Sequence, residues 1–184
     1  SPDKNLQNAL SKTIAHDWLR DAYLELFVPS RAFYHSQQII DSKKQAGSTV
    51  VTTWAFFSAI DALLVQDSFN DALALVEDAI GYVSKVNSAH EKLLIYVQKL
   101  RAIVFQKGEG YESAAQKVME QIRQLDTSKV KEKTQELSVY ADALYSAVLN
   151  DEAKFNESVQ QYKKIVLAKT VDSGFKQKIK LSVC

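Results

Sequence analysis

The sequence predicts an all-α fold built from repeated pairs of helices, and three observations carry that prediction. The chain of 184 residues contains only five Gly and two Pro, so few positions favour tight turns or interrupt a helix. Apolar residues recur at intervals of three and four over most of the chain, as they do on one face of an amphipathic helix. One helical pattern returns three times, and no Asn-Gly or Asp-Gly dipeptide predicts a β-hairpin.

The composition is that of an ordinary soluble globular chain, with 46% apolar and 24% charged residues. A formal net charge of +1 gives no electrostatic reason to expect nucleic acid or an anionic membrane surface as a partner. No apolar run approaches the roughly 20 residues that a membrane span needs, and no signal peptide is visible. We therefore expect an intracellular, cytoplasmic protein. Because the chain begins with Ser1-Pro2 instead of Met, we also expect it to be part of a longer protein.

The first two helices are predicted to meet at Pro29, which ends one helix and starts the next. Ser1 is the expected N-cap of the first helix, with Pro2 at the first helical position. The second helix is expected to run to about Gln45, before a break at Gly47-Ser48. The first helix carries an apolar stripe with one member every four residues, formed by Leu6, Leu10, Ile14, Trp18, Ala22 and Leu26.

The middle of the chain predicts three more helices. The stretch 49–66 is assigned as a helix by the period of its apolar residues and by its length, although its Val and Thr content would also suit a strand. Asp67-Ser68 then predicts the cap of a helix over 69–86. Ser88 and Glu91 form a capping-box pattern, with the Glu three residues after the hydroxyl, and they start a helix that ends before the loop "KGEG".

The last third of the chain continues in the same way. A helix is predicted over 111–125, Thr127 or Ser128 caps a helix to Leu149, and Asp151 caps one to about Ala168. We therefore expect a single helical-repeat domain. Its helix pairs lie at approximately 1–46, 48–87, 88–126 and 128–169, and a short basic helix follows at 173–184.

Three of these helices share a pattern, an aromatic residue followed three places later by a small one. The aromatic residues are Phe69, Tyr111 and Phe155, which are 42 and 44 residues apart, and the small ones are Ala72, Ala114 and Ser158. Phe33 and Ser36 form a degenerate first copy. Because one helix pair cannot bury its own apolar faces, stacked pairs would share a continuous core. The alternative is a compact bundle in which the spacing is accidental.

The stretches "GYESAAQKV" (110–118) and "SFNDALALV" (68–76) resemble the second helix of a tetratricopeptide repeat. The likeness covers about residues 18–168. The unit is longer than the usual 34 residues or so, and the proline that often ends such a repeat is absent. The long-unit repeats of kinesin light chains and soluble NSF attachment proteins are similar in period. The resemblance implies a right-handed α-solenoid of about four antiparallel helix pairs, plus the short C-terminal helix.

The resemblance also implies a function. The first helix of each pair would line an inner face that binds a protein or peptide, here the helices at about 49–66, 89–106 and 130–149. We expect a scaffold subunit of a larger complex. The alternative is a regulatory sensor that binds a short peptide or small ligand in a pocket that Trp54, Phe56, Tyr96 and Tyr140 could line. The candidate partner-binding residues are Thr53, Asp61, Tyr96, Lys99, Gln135 and Asp142, for each of which the other interpretation is a solvated helix face.

No motif predicts catalysis, a metal or a cofactor. His16, His35 and His90 are scattered, with no HExxH, CxxC or EF-hand spacing near them. No P-loop, G-x-G-x-x-G or G-x-S-x-G occurs. The lone Cys184 has no histidine nearby in the sequence, so it is interpreted as a structural thiol. Acidic pairs one turn apart on a helix, such as Asp17 and Asp21, are interpreted as solvated charges. We therefore expect no enzyme activity.

Overall fold

The computed structural model describes the backbone of residues 2–46 and 50–172, and the side chains of residues 12–45, 53–131 and 134–168. Within these ranges the chain is all-helical, with eight α-helices and no strand. The helices are α1 (Pro2–Glu25), α2 (Pro29–Ala46), α3 (Val50–Val65), α4 (Phe69–Val83), α5 (Ala89–Gln106), α6 (Tyr111–Arg123), α7 (Lys131–Val148) and α8 (Glu152–Asp172). A single 3-10 turn, Ser128–Val130, precedes α7.

The predicted helices are confirmed in number and order over the described residues, and the choice of helix over strand for 50–65 is correct. Pro29 is the first residue of α2, as predicted from its fixed φ and missing N–H. The predicted break at Gly47-Ser48 and the predicted terminal helix, with Cys184, lie outside the described residues. So does the predicted N-cap Ser1.

The helix caps agree with the sequence at two positions and differ at two. Ser88 accepts a hydrogen bond from the backbone N–H of Glu91 at 3.3 Å, and Asp151 accepts one from Lys154 at 3.0 Å. Ser68 occupies the N-cap of α4, but its side chain accepts no cap bond. The predicted cap of α7 at Thr127 or Ser128 is wrong. The 3-10 turn intervenes, and α7 starts only after it.

Each odd-numbered helix folds back onto the next through a turn that contains one non-glycine residue in the left-handed region. These residues are Phe27, Asp67, Lys107 and Asn150, with φ between 49° and 55°, and they are separated by 40, 40 and 43 residues. In three of the four turns the next residue donates its N–H to the carbonyl five places earlier, the bond of a Schellman motif. Those bonds are Val28 to Tyr23, Ser68 to Leu63 and Asp151 to Ser146, at 2.9–3.0 Å. The described residues therefore form four helical hairpins, three of which share this turn.

The core is shared between neighbouring hairpins. Consecutive helices pack against each other, and α3 also contacts α5, which contacts α7. One buried cluster joins α2, α3 and α4 and includes the fully buried Phe56, while a second joins α5, α6 and α7 around Met119. Side chains of α5 take part in both clusters, and ten of its 18 residues are buried. The middle of the array is thus the best-packed part of the described chain.

The apolar stripe of α1 does not face the core. Trp18 is 75% exposed and Leu26 is 68% exposed, while the buried side of the helix carries Thr13 and Arg20. Contacts to α2 include a polar pair, the Thr13 hydroxyl 3.3 Å from that of Ser42, and the ring of Tyr23 stacked on that of His35. Periodicity predicts that such a stripe exists, but it does not determine which face meets the neighbouring helix.

The three-fold aromatic pattern holds for two of its three copies. Phe69 and Tyr111 are the first residues of α4 and α6, and both are half-buried. Phe155 is the fourth residue of α8 and is 37% exposed. Counted from the left-handed turn residue, Phe69, Tyr111 and Phe155 lie two, four and five positions further on. The spacing of these turns, 40 and 43 residues, therefore differs from the aromatic spacing of 42 and 44 residues in both later hairpins.

Candidate functional site

A row of side-chain contacts joins α3 to α5 along their shared length. The Thr53 hydroxyl donates to a carboxylate oxygen of Glu91 at 3.3 Å, and the amide of Gln98 donates to the backbone carbonyl of Phe57 at 3.2 Å. The partners in each pair are 38 and 41 residues apart, close to the 40-residue spacing of the turns. Because the offset stays nearly constant, α3 and α5 run in the same direction, side by side.

Arg101 makes several of the contacts in this row. Its guanidinium donates to the carboxylate of Asp61 at 2.6 Å and to the amide oxygen of Gln98 at 2.7 Å, and it lies 5.8 Å from the ring centre of Phe105. The side chain of Arg101 is only 6% exposed, whereas that of Asp61 is 24% exposed. Since Arg stays charged in proteins, burying it requires this set of acceptors. The carboxylate of Asp61 is therefore the more exposed member of this ion pair.

A second polar pair lies beside the first and joins α7 to α8. The phenol of Tyr162 donates to a carboxylate oxygen of Glu136 at 3.4 Å, and its ring centre is 6.0 Å from that of Tyr140. Burial, together with the negative charge of Glu136, raises the pKa of Tyr162 to about 12, while the positive charge of Arg101 acts in the opposite direction. Tyr162 therefore stays protonated at neutral pH and serves as a hydrogen-bond donor.

At the N-terminal end of α3 the same face becomes aromatic. Trp54 is 49% exposed and makes an edge contact with Phe57, with ring centres 5.7 Å apart. The ring of His90 on α5 lies 6.5 Å from that of Trp54. Trp54 and Asp61 are seven residues apart on one helix, so the indole and the carboxylate point from the same side of α3. Trp54 and Asp61 thus place an aromatic and an acidic group on one side of α3.

The structure places the six sequence-predicted partner-binding residues on different surfaces. Asp61 belongs to the Arg101 cluster. Thr53 is fully buried, and Lys99 forms an ion pair of 2.6 Å with Glu77 of α4. Tyr96 packs partly buried against the second core cluster. Gln135 and Asp142 are half-buried on α7.

The four aromatic residues suggested for a ligand pocket also lie in different parts of the fold. Phe56 is fully buried, with the ammonium of Lys44 5.4 Å from its ring centre and Tyr82 on its other side. Tyr140 instead contacts the ring of Tyr162 on α8. Only Trp54 exposes a large part of its ring.

Sequence reasoning missed most of the Arg101 cluster. Arg101 was not singled out because a charged residue on a helix is most often solvated, and its acceptor Asp61 is 40 residues away. One signal was available. Arg101 falls inside a run of seven residues, Leu100–Gln106, that is otherwise free of charge and mostly apolar. A single charge in such a run indicates a paired, buried group.

The described residues offer no obvious reaction centre. Among the side chains that the structure describes, no three His, Cys, Asp or Glu lie together as a metal site would need. No helix in the described part of the chain is both long and apolar enough to cross a membrane. Compared with known proteins, the chain matches no family model, no curated protein and no solved structure.

Proposed function

We propose that this protein is a protein–protein interaction module, a scaffold whose four hairpins stack as a right-handed solenoid. The face formed by α3, α5 and α7 is the proposed binding surface for a partner polypeptide. The observation that carries the proposal is the row from Trp54 to Asp61 and Arg101, in which an exposed aromatic ring lies on the same helix face as a half-exposed carboxylate. Trp, Tyr and Arg are the residues that contribute most at protein interfaces.

Two features of the fold support a stacked array. The hairpin turns recur every 40 to 43 residues, and α3, α5 and α7 contact one another in sequence. In helical solenoids, each repeat contacts its neighbours, and the same helix of each repeat lines one extended surface. The bonds of Arg101 to α3 hold this surface rigid before a partner binds, which reduces the entropy lost on binding.

The test compares two exposed apolar side chains on different faces. Trp54→Ala removes the exposed ring from the proposed surface, and Leu167→Ala removes a side chain that is 62% exposed on α8. Both changes should alter the free energy of unfolding by less than about 1 kcal/mol, because neither side chain belongs to a buried cluster. The wild type and both variants are immobilised, and the proteins they retain from cell extract are quantified by mass spectrometry.

We expect one set of proteins to bind the wild type and the Leu167→Ala variant and to be depleted on the Trp54→Ala variant. The affinity of a purified partner should fall about tenfold or more with Trp54→Ala. Equal retention on all three proteins would show that the partner binds elsewhere. If no polypeptide is retained while small metabolites shift the melting temperature of the wild type alone, the scaffold proposal is wrong.

A further inference from the structure

Helix α1 buries polar side chains against α2 and exposes apolar ones to solvent, the opposite of what is expected of a packed helix. Over residues 12–25, the side facing α2 buries the polar Thr13 and Arg20 and half-buries His16, with the ring of Tyr23 stacked on that of His35. The opposite side is apolar and faces solvent, and Trp18 alone is 75% exposed. A helix normally buries its apolar side, because each buried apolar group adds to stability. The exposed side of α1 is therefore an unpartnered apolar surface.

The apolar residues on this surface are spaced like those of a helix that packs against another helix. Ala15, Leu19, Ala22 and Leu26 are separated by four, three and four residues, the spacing of the apolar seam in a coiled coil, and all four are exposed. Large Leu alternates with small Ala along the seam. The Ala positions leave gaps that can receive the side chains of a facing helix.

Phe27 extends the seam beyond the end of α1. It lies next to Leu26, is 86% exposed and adopts the left-handed conformation at φ 55°. The other three hairpin turns have a polar residue here, namely Asp67, Lys107 or Asn150. A bulky aromatic residue at positive φ is strained, and strain that the fold does not relieve indicates a functional use. Trp18 and Phe27 are the two most exposed large apolar side chains of the described residues.

The charges beside the seam favour a basic partner. Asp21 is 59% exposed, and Glu25, one turn later, is also exposed. Both lie on the same edge of the seam as Ile14 and Trp18, while the other edge borders α2. The Asp21 carboxylate already contacts Arg20 at 2.9 Å. Glu25 therefore attracts a positively charged side chain of a partner more strongly than Asp21 does. Lys or Arg on the facing edge of a bound helix would complement these carboxylates.

A second copy of the same chain fits this surface less well. Antiparallel pairing of two α1 helices would place the acidic edge of each along the acidic edge of the other, and like charges there oppose association. The seam is also only one helix wide and about 20 Å long. Stable dimers bury about 800 Å² per partner, which exceeds what such a strip offers.

We propose that the exposed face of α1 docks an amphipathic helix of another protein, about four turns long, whose apolar ridge is bordered by Lys or Arg along the edge that meets Asp21 and Glu25. This surface is separate from the α3–α5–α7 face. The inference deepens the proposed role in protein binding but does not depend on Trp54. A peptide titration can therefore show no binding at α1 while the proposal for the α3–α5–α7 face still holds.

The probe is a synthetic helical peptide of about 15 residues, four turns long, with Leu at the seam positions, Lys at the flanking positions and Ala elsewhere. A second peptide has Glu in place of each Lys, and a third has Ser in place of each Leu. Calorimetric titration of the full chain should show binding of the Lys peptide about tenfold tighter than that of the Glu peptide, and no binding of the Ser peptide. Equal binding of the Lys and Glu peptides, or none, overturns the proposal.

Variants of the protein locate the binding. Trp18→Ser and Leu26→Ser should each weaken binding of the Lys peptide about tenfold, whereas Leu167→Ser on α8 should leave it unchanged. Glu25→Lys should reduce the preference for the Lys peptide, and Glu25→Lys with Asp21→Lys should reverse it. All of these side chains are exposed, and circular dichroism checks that each variant is folded. Binding that Trp18→Ser does not weaken, or a dimer in sedimentation that Trp18→Ser abolishes, would contradict the proposal.

Discussion

His16 and His35 form the closest contact between the first two helices. Their Nδ1 atoms are 2.8 Å apart, and Tyr23 stacks on the His35 ring with the two planes 5° apart. At this distance one nitrogen must donate a proton and the other must accept it, so the pair cannot keep its hydrogen bond when both rings are protonated. Burial lowers the pKa of His35, and the positive charges of His16 and Arg31 lower it further.

This lowered pKa predicts that acid weakens the fold. The unfolded chain, in which His35 titrates near its ordinary value of about 6.5, takes up the proton before the folded chain does. The contribution of His35 to the free energy of unfolding is therefore complete above pH 6.5 and is lost as the pH falls through the folded value. Urea denaturation between pH 5 and pH 8 should show this loss.

The control for this prediction uses the third histidine of the chain. His35→Phe keeps an aromatic ring for Tyr23 to stack on and removes the titrating group, so it should flatten the pH dependence. His90→Gln, on α5, should leave the slope close to that of the wild type. An unchanged slope in the His35→Phe variant would mean that other groups cause the acid sensitivity.

At the scale of single helices, two serines directly precede a helix, and only one of them reaches the free backbone N–H groups. Ser88 does so at the start of α5, whereas Ser68, in the same position before α4, does not. Both residues are Ser and both precede a helix, but Ser88 has the extended backbone typical of a cap, with φ −134° and ψ 108°. The pair therefore provides a matched comparison within one chain.

We expect Ser88→Ala to lower the free energy of unfolding by about 1 kcal/mol, because it removes a cap bond from α5, a helix with ten buried residues. Ser68→Ala should change it by less than about 0.5 kcal/mol. Equilibrium denaturation of the two variants beside the wild type measures the difference. Losses of equal size would show that the hydroxyl of Ser88 does not stabilise α5 through its hydrogen bond.

Helix positions could be predicted from the sequence because the signals that set them are local. Pro29 fixes the start of α2, and the hydroxyl of Ser88 with Glu91 three residues later identifies the start of α5. The outward face of α1 could not be predicted, because it depends on which of two faces finds a partner in α2. The Arg101 cluster could not be predicted either, since its members become neighbours only when α3 and α5 pack together.

At the scale of the whole molecule, the question is whether the four hairpins stack into an extended array or fold back into a bundle. The turns repeat at nearly constant spacing, and α5 contacts helices on both sides of it. In an extended array the ends are far apart, so the molecule is longer than a compact protein of the same size.

Small-angle X-ray scattering of the full chain tests this point. A compact protein of 184 residues has a radius of gyration of about 16 Å. We expect a larger value and a distribution of interatomic distances with a long tail, as an elongated particle gives. A value close to 16 Å with a symmetric distribution would indicate a bundle and would count against the solenoid.

The recurring hairpin turn also bears on how the chain acquires its structure. Each hairpin forms between two helices that are adjacent in the sequence. Proteins dominated by such local contacts fold fast. A ribosome adding 5–20 residues per second releases one 40-residue unit roughly every 2–8 s, whereas helices form within about a microsecond. Each hairpin can thus be complete before the next is synthesised, and nascent chains would expose little apolar surface except that of the most recent unit.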